Sequence, residues 1–386
     1  MKYPIAIWML AIGAFAIGMT EFVIMGLLPN IARDFDVTVS QAGQLITGYA
    51  LGVAIGGPII VMLTIKWNRK YLLLVLMGIF ILGNFAASFS PSYGFMMTSR
   101  IITSLAHGSF FGIGSILAAS MVRPEKRASA MALMFMGLSL SNILGVPFGT
   151  LVGQNFGWPM TFIVISIIGA IALVGIIIFV PMQRETVKSS VLNELKILKE
   201  KRLWLTLAVT LFGFSSVFAY FTYISTVLTD VSNVQENLIS YLLIIFGVGV
   251  TLGNIVGGKL ADWNLNKSLQ MIFTIFILYF VLLYFIQMNG FLMVAGIFFF
   301  GLIGFSMSPS LQFKSTLISK DAPTLASTLN QSAFNLGNAL GAFIGGLVVT
   351  HLPVASLSLI APILTVIGLI FLFISVAVEK KEGMTT

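Results

Sequence analysis

Apolar residues run along the chain in stretches of about twenty, broken by short polar gaps. A helix must keep about 20 mostly apolar residues to cross the hydrocarbon of a bilayer. That window predicts twelve spans: 4–29, 42–65, 71–89, 95–118, 129–153, 159–181, 204–228, 237–260, 268–288, 291–312, 325–350 and 355–378. The stretch from Pro4 to Pro29 is too long for the core of a cleavable signal and carries Glu21 inside it.

The gaps are short except at 182–203, which divides the chain six plus six. This gap holds Arg184, Glu185, Lys188, Glu194, Lys196, Lys199, Glu200, Lys201 and Arg202. Val191-Leu192, Leu195 and Leu198 fall at helical spacing within it. Two readings fit, a short amphipathic helix on the membrane surface and a solvated linker. The domains expected are therefore 1–181 and 204–386, each a six-helix bundle, joined by a cytoplasmic linker at 182–203.

Charge sets the orientation. With the N-terminus inside, the inner segments hold 19 of the 21 lysines and arginines, Lys314 among them. Only Arg33 falls in an outer loop, and Arg100 lies within a span. Cytoplasmic loops carry such an excess, so both termini are expected in the cytoplasm. An odd helix count would invert every later loop and destroy the bias.

Composition agrees. Of 386 residues, 58% are hydrophobic and 9% charged, against about 25% charged in soluble domains. A net charge of +8 would suit nucleic acid only if it clustered on a soluble face, and here it lies in the gaps. No nucleic-acid partner is expected. The chain has no cysteine, which excludes disulfides, thiol chemistry and cysteine metal sites. No cofactor or metal is expected.

The halves resemble one another. Asn142, Gly145 and Gly149 match Asn338, Gly341 and Gly345 at a single offset of 196 residues. Gly57/Gly253, Asn68/Asn264 and Gly108/Gly304 share it. Internal repeats are how many transporters build two bundles around a midplane site.

Four segments carry a resemblance to a known family. They are Thr20-Glu21-Phe22 with Gly26-Leu27-Leu28-Pro29, His107-Gly108-Ser109-Phe110-Phe111-Gly112, Asn142-x-x-Gly145-Val146-Pro147-x-Gly149-Thr150, and Leu329-Asn330-Gln331-Ser332-x-x-Asn335-x-Gly337-Asn338. With them the chain resembles the major facilitator superfamily, in its drug/proton antiporter branch of arabinose-efflux-like and purine-efflux-like proteins. The resemblance implies an all-α membrane protein with twelve transmembrane helices in two six-helix bundles. It implies a bacterial inner-membrane location, a working monomer, and exchange of a small-molecule substrate against protons. The superfamily's loop motif is split. Gly258-Lys259-Leu260-Ala261-Asp262 stands in the second half, while the first keeps Asn68-Arg69-Lys70 with Ile65 at the acidic position. In the family the acidic residue pairs at a cytoplasmic gate, which points to Asp262 with Arg69 and Lys70. A purely topogenic role for Arg69 and Lys70 fits equally. In the fifth span, Gly145, Pro147 and Gly149 match a pattern associated with antiporters. Glycines four apart also serve simple close packing.

Glu21 is the most informative residue, because an ionisable group within a span is costly and usually functional. It lies about 12 Å from the outer end of its helix, Arg100 about 8 Å and His107 about 18 Å. Arg100 and His107, seven apart, share a helix face. The expected proton-coupling group is Glu21 with Arg100 as tuning partner and His107 as proton relay or substrate hydrogen-bonder. A static ion pair and a packing histidine are the alternatives. His351 is expected on the outer surface. Asn84, Asn142, Asn254, Asn330, Gln331, Asn335 and Asn338 are the other polar groups noted within spans, and aromatics crowd the seventh (Phe214, Phe218, Tyr220, Phe221, Tyr223) and tenth (Phe298, Phe299, Phe300). A cavity of Phe22, Phe111, Asn142, Phe218, Tyr220, Gln331 and Asn335 would accept a neutral or amphipathic organic molecule. Most of the phenylalanines are expected to face lipid.

The chain lacks the Gly-rich phosphate loop, so ATP is not expected to drive it. A membrane-embedded enzyme would need a cluster of nucleophile, base or metal ligands at one depth, and only Glu21, Arg100 and His107 qualify. An enzyme is therefore not expected, and the leading reading, implied by the resemblance, is a proton-coupled exporter of small organic compounds. A sugar or nucleoside exporter and a proton-independent facilitator are its rivals.

Overall fold

A computed structural model describes residues 4–64, 67–123, 126–182, 195–318 and 323–381. Among these the chain is helical with no strand. The helices are α1 (Ile5–Asp34), α2 (Val39–Leu63), α3 (Arg69–Ser88), α4 (Tyr93–Ser120), α5 (Arg127–Leu140), α6 (Val146–Phe156), α7 (Trp158–Phe179), α8 (Lys201–Phe221), α9 (Ile239–Ile286), α10 (Gly290–Ile318), α11 (Pro323–His351) and α12 (Leu357–Lys381).

Among the described residues, eleven helices are long and apolar enough to cross a membrane. The twelfth crossing lies inside α9. Its 48 residues would reach ~72 Å if straight, more than twice a hydrocarbon core. It is divided at Asn264, whose φ −164° and ψ 104° are extended rather than helical. The predicted eighth and ninth spans lie on either side of that break. Large apolar side chains face outward along the crossings, Leu82 at 70%, Phe285 at 67% and Phe291 at 85% exposure. Water would not tolerate such a surface; lipid does. This is a multi-pass membrane protein.

The fifth span is a composite of α5 and α6. A π turn at Ser141–Gly145 joins them, the Val146 N–H bonding the Ser141 carbonyl. Pro147 explains the widening, because a proline has no N–H to give and its ring would collide with the carbonyl four residues back. Gly157, at φ 87°, then makes the left-handed corner between α6 and α7, a backbone region that favours glycine.

The chain forms two compact units. One is Met1–Thr38, Gly48–Val187 and Ile239–Ile244; the other is Val39–Thr47, Lys188–Leu238 and Ile245–Thr386. Within the first, α1 packs on α5, α6 and α7, α3 on α4 and α7, and α4 on α5. Within the second, α8 packs on α10, α11 and α12, and α10 on α11. The repeat read from sequence recurs in the packing. Gly145 lies against Met19, and Gly341 against Ser215; Gly149 lies against Val23, and Gly345 against Ala219. Each pair maps onto its counterpart at the same offset of 196.

Of the 182–203 linker, residues 183–194 lie outside the described residues, and the amphipathic pattern at Val191-Leu192 with them. The described end is a 3-10 turn, Leu195–Lys199. Its Ile197 joins a buried cluster with Leu203, Leu207, Ala326 and Ala333.

Two expectations need correction. Phe214, Phe218, Tyr220, Phe221 and Tyr223 are all buried, as is Phe300; of the aromatics singled out, only Phe299 is largely exposed. Their rings interlock instead, Phe221 stacked on Phe246 at 4.1 Å and Phe214 edge-on to Phe334 at 4.4 Å. Ring-to-ring contact outcompetes lipid, which offers an aromatic only dispersion. Lys314 is not in a loop. Helix α10 runs on to Ile318 and buries it, because an acidic partner is present to receive it.

Candidate functional site

Glu21, Arg100 and His107 are all buried in the first unit. Helix α1 supplies Glu21 and α4 the other two, and α1 packs against α4. The group paired with the carboxylate is His107, with Nε2 3.9 Å from Glu21 Oε2. That is beyond hydrogen-bond length, so the two are juxtaposed without being locked. Glu21 Oε1 and His107 Nε2 have no hydrogen-bond partner among the described residues.

Arg100, expected as the tuning partner of Glu21, directs its hydrogen bonds to the neighbouring residue of α1. Its Nη1 donates to the carbonyl and to the hydroxyl of Thr20, each at 3.0 Å. Thr20 in turn donates to Asn84 Oδ1 at 2.5 Å, and Asn84 Nδ2 donates to the Phe80 carbonyl. The guanidinium also lies over the Tyr49 ring, 4.0 Å from its centroid, a cation–π contact. Its charge thus sits one residue from Glu21 along α1 while its hydrogen bonds go elsewhere. Arg100 Nε and Nη2 remain without partners among the described residues.

Tyr49 closes the group. Its hydroxyl is 3.1 Å from His107 Nδ1. Helices α1, α2, α3 and α4 therefore each contribute: Thr20 and Glu21, Tyr49, Asn84, Arg100 and His107. Sequence reading missed Tyr49. It follows no charge signal and no motif, and it belongs to the site through its ring under Arg100 and its hydroxyl at His107.

The cavity residues divide between the units. Phe22 and Asn142 are buried in the first, where Phe111 stacks on Phe135 at 5.5 Å and meets the His107 ring edge-on at 5.3 Å. Asn142 stands in the π turn and donates to the Leu138 carbonyl. In the second unit, Phe218 packs edge-on against Phe334. Tyr220 donates to Gln287 Oε1, and Gln287 Nε2 reaches Ala355 and Ser358; this hydroxyl is engaged in holding helices together. Asn335 gives its amide hydrogen to the Gln331 carbonyl. Its Oδ1, with both side-chain polar atoms of Asn338, is buried and unpartnered among the described residues. Such orphaned amide atoms are costly unless something binds them.

The motif residues are less uniform. Gly145 and Gly149 line α1, and Pro147 shapes the π turn. Asn68 caps α3, accepting from the Lys70 N–H, while Lys70 Nζ donates to the Ile177 carbonyl at 2.8 Å near the end of α7. Arg69 is partly exposed and Asp262 exposed; Ile65 lies outside the described residues. Sequence reading missed a buried cluster. Lys314 Nζ donates to Glu379 Oε1 and Asn266 Oδ1, Asn266 Nδ2 donates to Glu379 Oε2, and Ser375 donates to Glu379 Oε1.

Residues 10–324 and 225–384 match the sequence profile of the Major Facilitator Superfamily. The inner membrane transport protein YdhP of Escherichia coli (strain K12) is 41% identical over 350 residues, covering 91% of this chain and 90% of that one. A chloramphenicol resistance protein of Streptomyces lividans is 28% identical, covering 90% of each. Among solved structures, a D-xylose-proton symporter superposes with a TM-score of 0.80 at 15% identity, over 95% of this chain and 96% of that one. The twelve crossings in two six-helix bundles, the duplicated glycine contacts and the matched profile agree, and the chain belongs to the major facilitator superfamily.

Proposed function

We propose that this transporter is a proton-coupled antiporter that exports small organic compounds by alternating access, with Glu21 as its proton carrier. The observation that carries the reading is the buried Glu21 carboxylate, with Oε1 unpartnered among the described residues and His107 Nε2 at 3.9 Å. A carboxylate fully committed to a salt bridge could not release and retake a proton as access alternates. One left beside a histidine and one residue from a guanidinium can. The orphaned amide atoms of Asn335 and Asn338 support an uncharged hydrogen-bonding subsite, and the aromatic groups around Phe111 and Phe218 an amphipathic solute. Export is supported by the Gly145–Pro147–Gly149 pattern and by the name of the chloramphenicol-resistance relative. The protein works in this reading as a monomer in the bacterial inner membrane. Both termini and the 182–203 linker are cytoplasmic, and Asp262 with Arg69 and Lys70 serves the inner gate.

Purified protein in proteoliposomes tests it, with radiolabelled chloramphenicol, a pentose and a nucleoside as probes, each with and without an imposed proton gradient. A gradient should drive accumulation of at least one probe in wild type and of none in Glu21→Gln, which should still exchange that probe downhill. Accumulation by Glu21→Gln would place the proton site elsewhere and reduce the cluster to structure. Flux indifferent to the gradient in wild type would favour a facilitator.

A further inference from the structure

His107 touches two groups through its two nitrogens, and the two contacts are linked. Neutral imidazole carries a single N–H, and the hydrogen bond at one nitrogen decides which nitrogen bears it. Nε2 faces Glu21 Oε2 at 3.9 Å. An ionised carboxylate can only accept, so a lone pair on Nε2 would oppose another lone pair across a buried gap. Nε2 must therefore carry the hydrogen when Glu21 is charged. Nδ1 then presents a lone pair, and the group that meets it is the Tyr49 hydroxyl at 3.1 Å. A phenol can donate to it.

Tyr49 is well fixed for that duty. It is 1% exposed, its ring lies under the Arg100 guanidinium at 4.0 Å, and Arg100 is held on Thr20 by two hydrogen bonds. The ring cannot swing away from His107 without uncovering a buried cation. The hydroxyl position is thus inherited from α1 through Arg100.

We propose that Tyr49 is a positioning residue for proton exchange, its hydroxyl holding His107 as the Nε2–H tautomer aimed at Glu21. This rests on the reading of Glu21 as proton carrier. Tyr49 acts through His107 and exchanges no proton itself.

The chain has two histidines, so nitrogen-15 histidine labelling of the full-length protein in detergent gives two pairs of ring signals, one pair for each imidazole. His351→Gln, at an exposed position, removes one and assigns the other. At alkaline pH the wild-type His107 should show a protonated Nε2 and a bare Nδ1. Tyr49→Phe keeps the ring under Arg100 and removes only the hydroxyl; His107 should then divide between both tautomers, with the His351 signals unmoved. A wild-type Nδ1–H tautomer would overturn the assignment, and this measurement needs no variant, so it decides even if Tyr49→Phe fails to fold. An unchanged single tautomer in Tyr49→Phe would overturn it too. Proteoliposome flux separates the two claims. If Glu21→Gln loses gradient-driven accumulation while Tyr49→Phe keeps the wild-type tautomer, only the role of Tyr49 falls. If Glu21→Gln still accumulates, the proton reading falls and takes the positioning role with it.

Discussion

Lys314 Nζ lies 2.5 Å from Glu379 Oε1, with the two side chains 3% and 9% exposed. Asn266 bridges both charges from beyond the Asn264 break, so the pair ties the second part of α9 to α10 and α12. Breaking a buried pair by removing one partner strands the other charge, at a cost of about 3–5 kcal/mol. Glu379→Leu should therefore lower the thermal unfolding midpoint of the purified protein sharply. Lys314→Met with Glu379→Leu should recover most of it. A double variant no better than the single would show that the cluster does more than neutralise charge.

The glycine contacts predict a graded response. A Cβ at Gly341 would meet the Ser215 carbonyl and stand 2.7 Å from the Ala219 nitrogen, whereas one at Gly258 meets nothing within 4 Å. Gly341→Ala should cost about 1–3 kcal/mol through overpacking. Gly258→Ala, inside a helix, should be neutral or slightly stabilising. Parallel melting curves check both, and equal midpoints would mean that α8 and α11 separate freely.

Much of the architecture was legible in the sequence because the bilayer imposes a length and a charge rule on every crossing. The 196-residue offset was legible too, since Gly149 and Gly345, one in each copy, both sit where an added Cβ would crowd the neighbouring helix, α1 or α8. The site was legible mainly in its charges. Glu21, Arg100 and His107 stand out because ions are rare in spans. Thr20 entered only within a family segment and Asn84 only as one of several amides in spans. Tyr49 does not stand out, since a tyrosine is not unusual in a membrane helix and its importance lies in distances. Lys314 was misplaced for a related reason. A window of apolar residues ends where the first charge appears, while α10 continues as long as its hydrogen bonds do and Glu379 is there to meet the lysine.

Arg100 should resist conservative replacement. Its guanidinium reaches the Thr20 carbonyl and hydroxyl while lying flat over Tyr49. A lysine ammonium is a point charge that cannot stack in this way. Arg100→Lys should keep the charge and still lose most gradient-driven accumulation. Arg100→Gln should leave Glu21 a buried carboxylate without its cation, and flux should stop responding to pH. Wild-type accumulation in Arg100→Lys would mean that charge alone suffices.

Asp262 offers a contrast. It is exposed, so Asp262→Asn should change stability by no more than about 0.5 kcal/mol. If Asp262 serves the inner gate, transport of whichever probe is accumulated should fall while expression and melting stay as in wild type. Unchanged transport would remove the gating role and leave the residue as a surface charge.

The glycine columns of α6 and α11 have one more implication. Side chains that interdigitate must change rotamer before two helices can slide, and each change is a barrier. Where Gly337 and Gly341 lie against the backbone of α8 at Leu211 and Ser215, there is little to unlock, and Gly345 adds one ring, that of Tyr223, beside the Ala219 carbonyl. Such a seam is smooth rather than toothed, so the displacement it favours is shear, a small glide of one helix along its neighbour. The first copy is rougher, because Gly149 and Gly153 meet the side chains of Met19, Val23 and Leu27. After duplication the two halves kept the same fold but not the same friction.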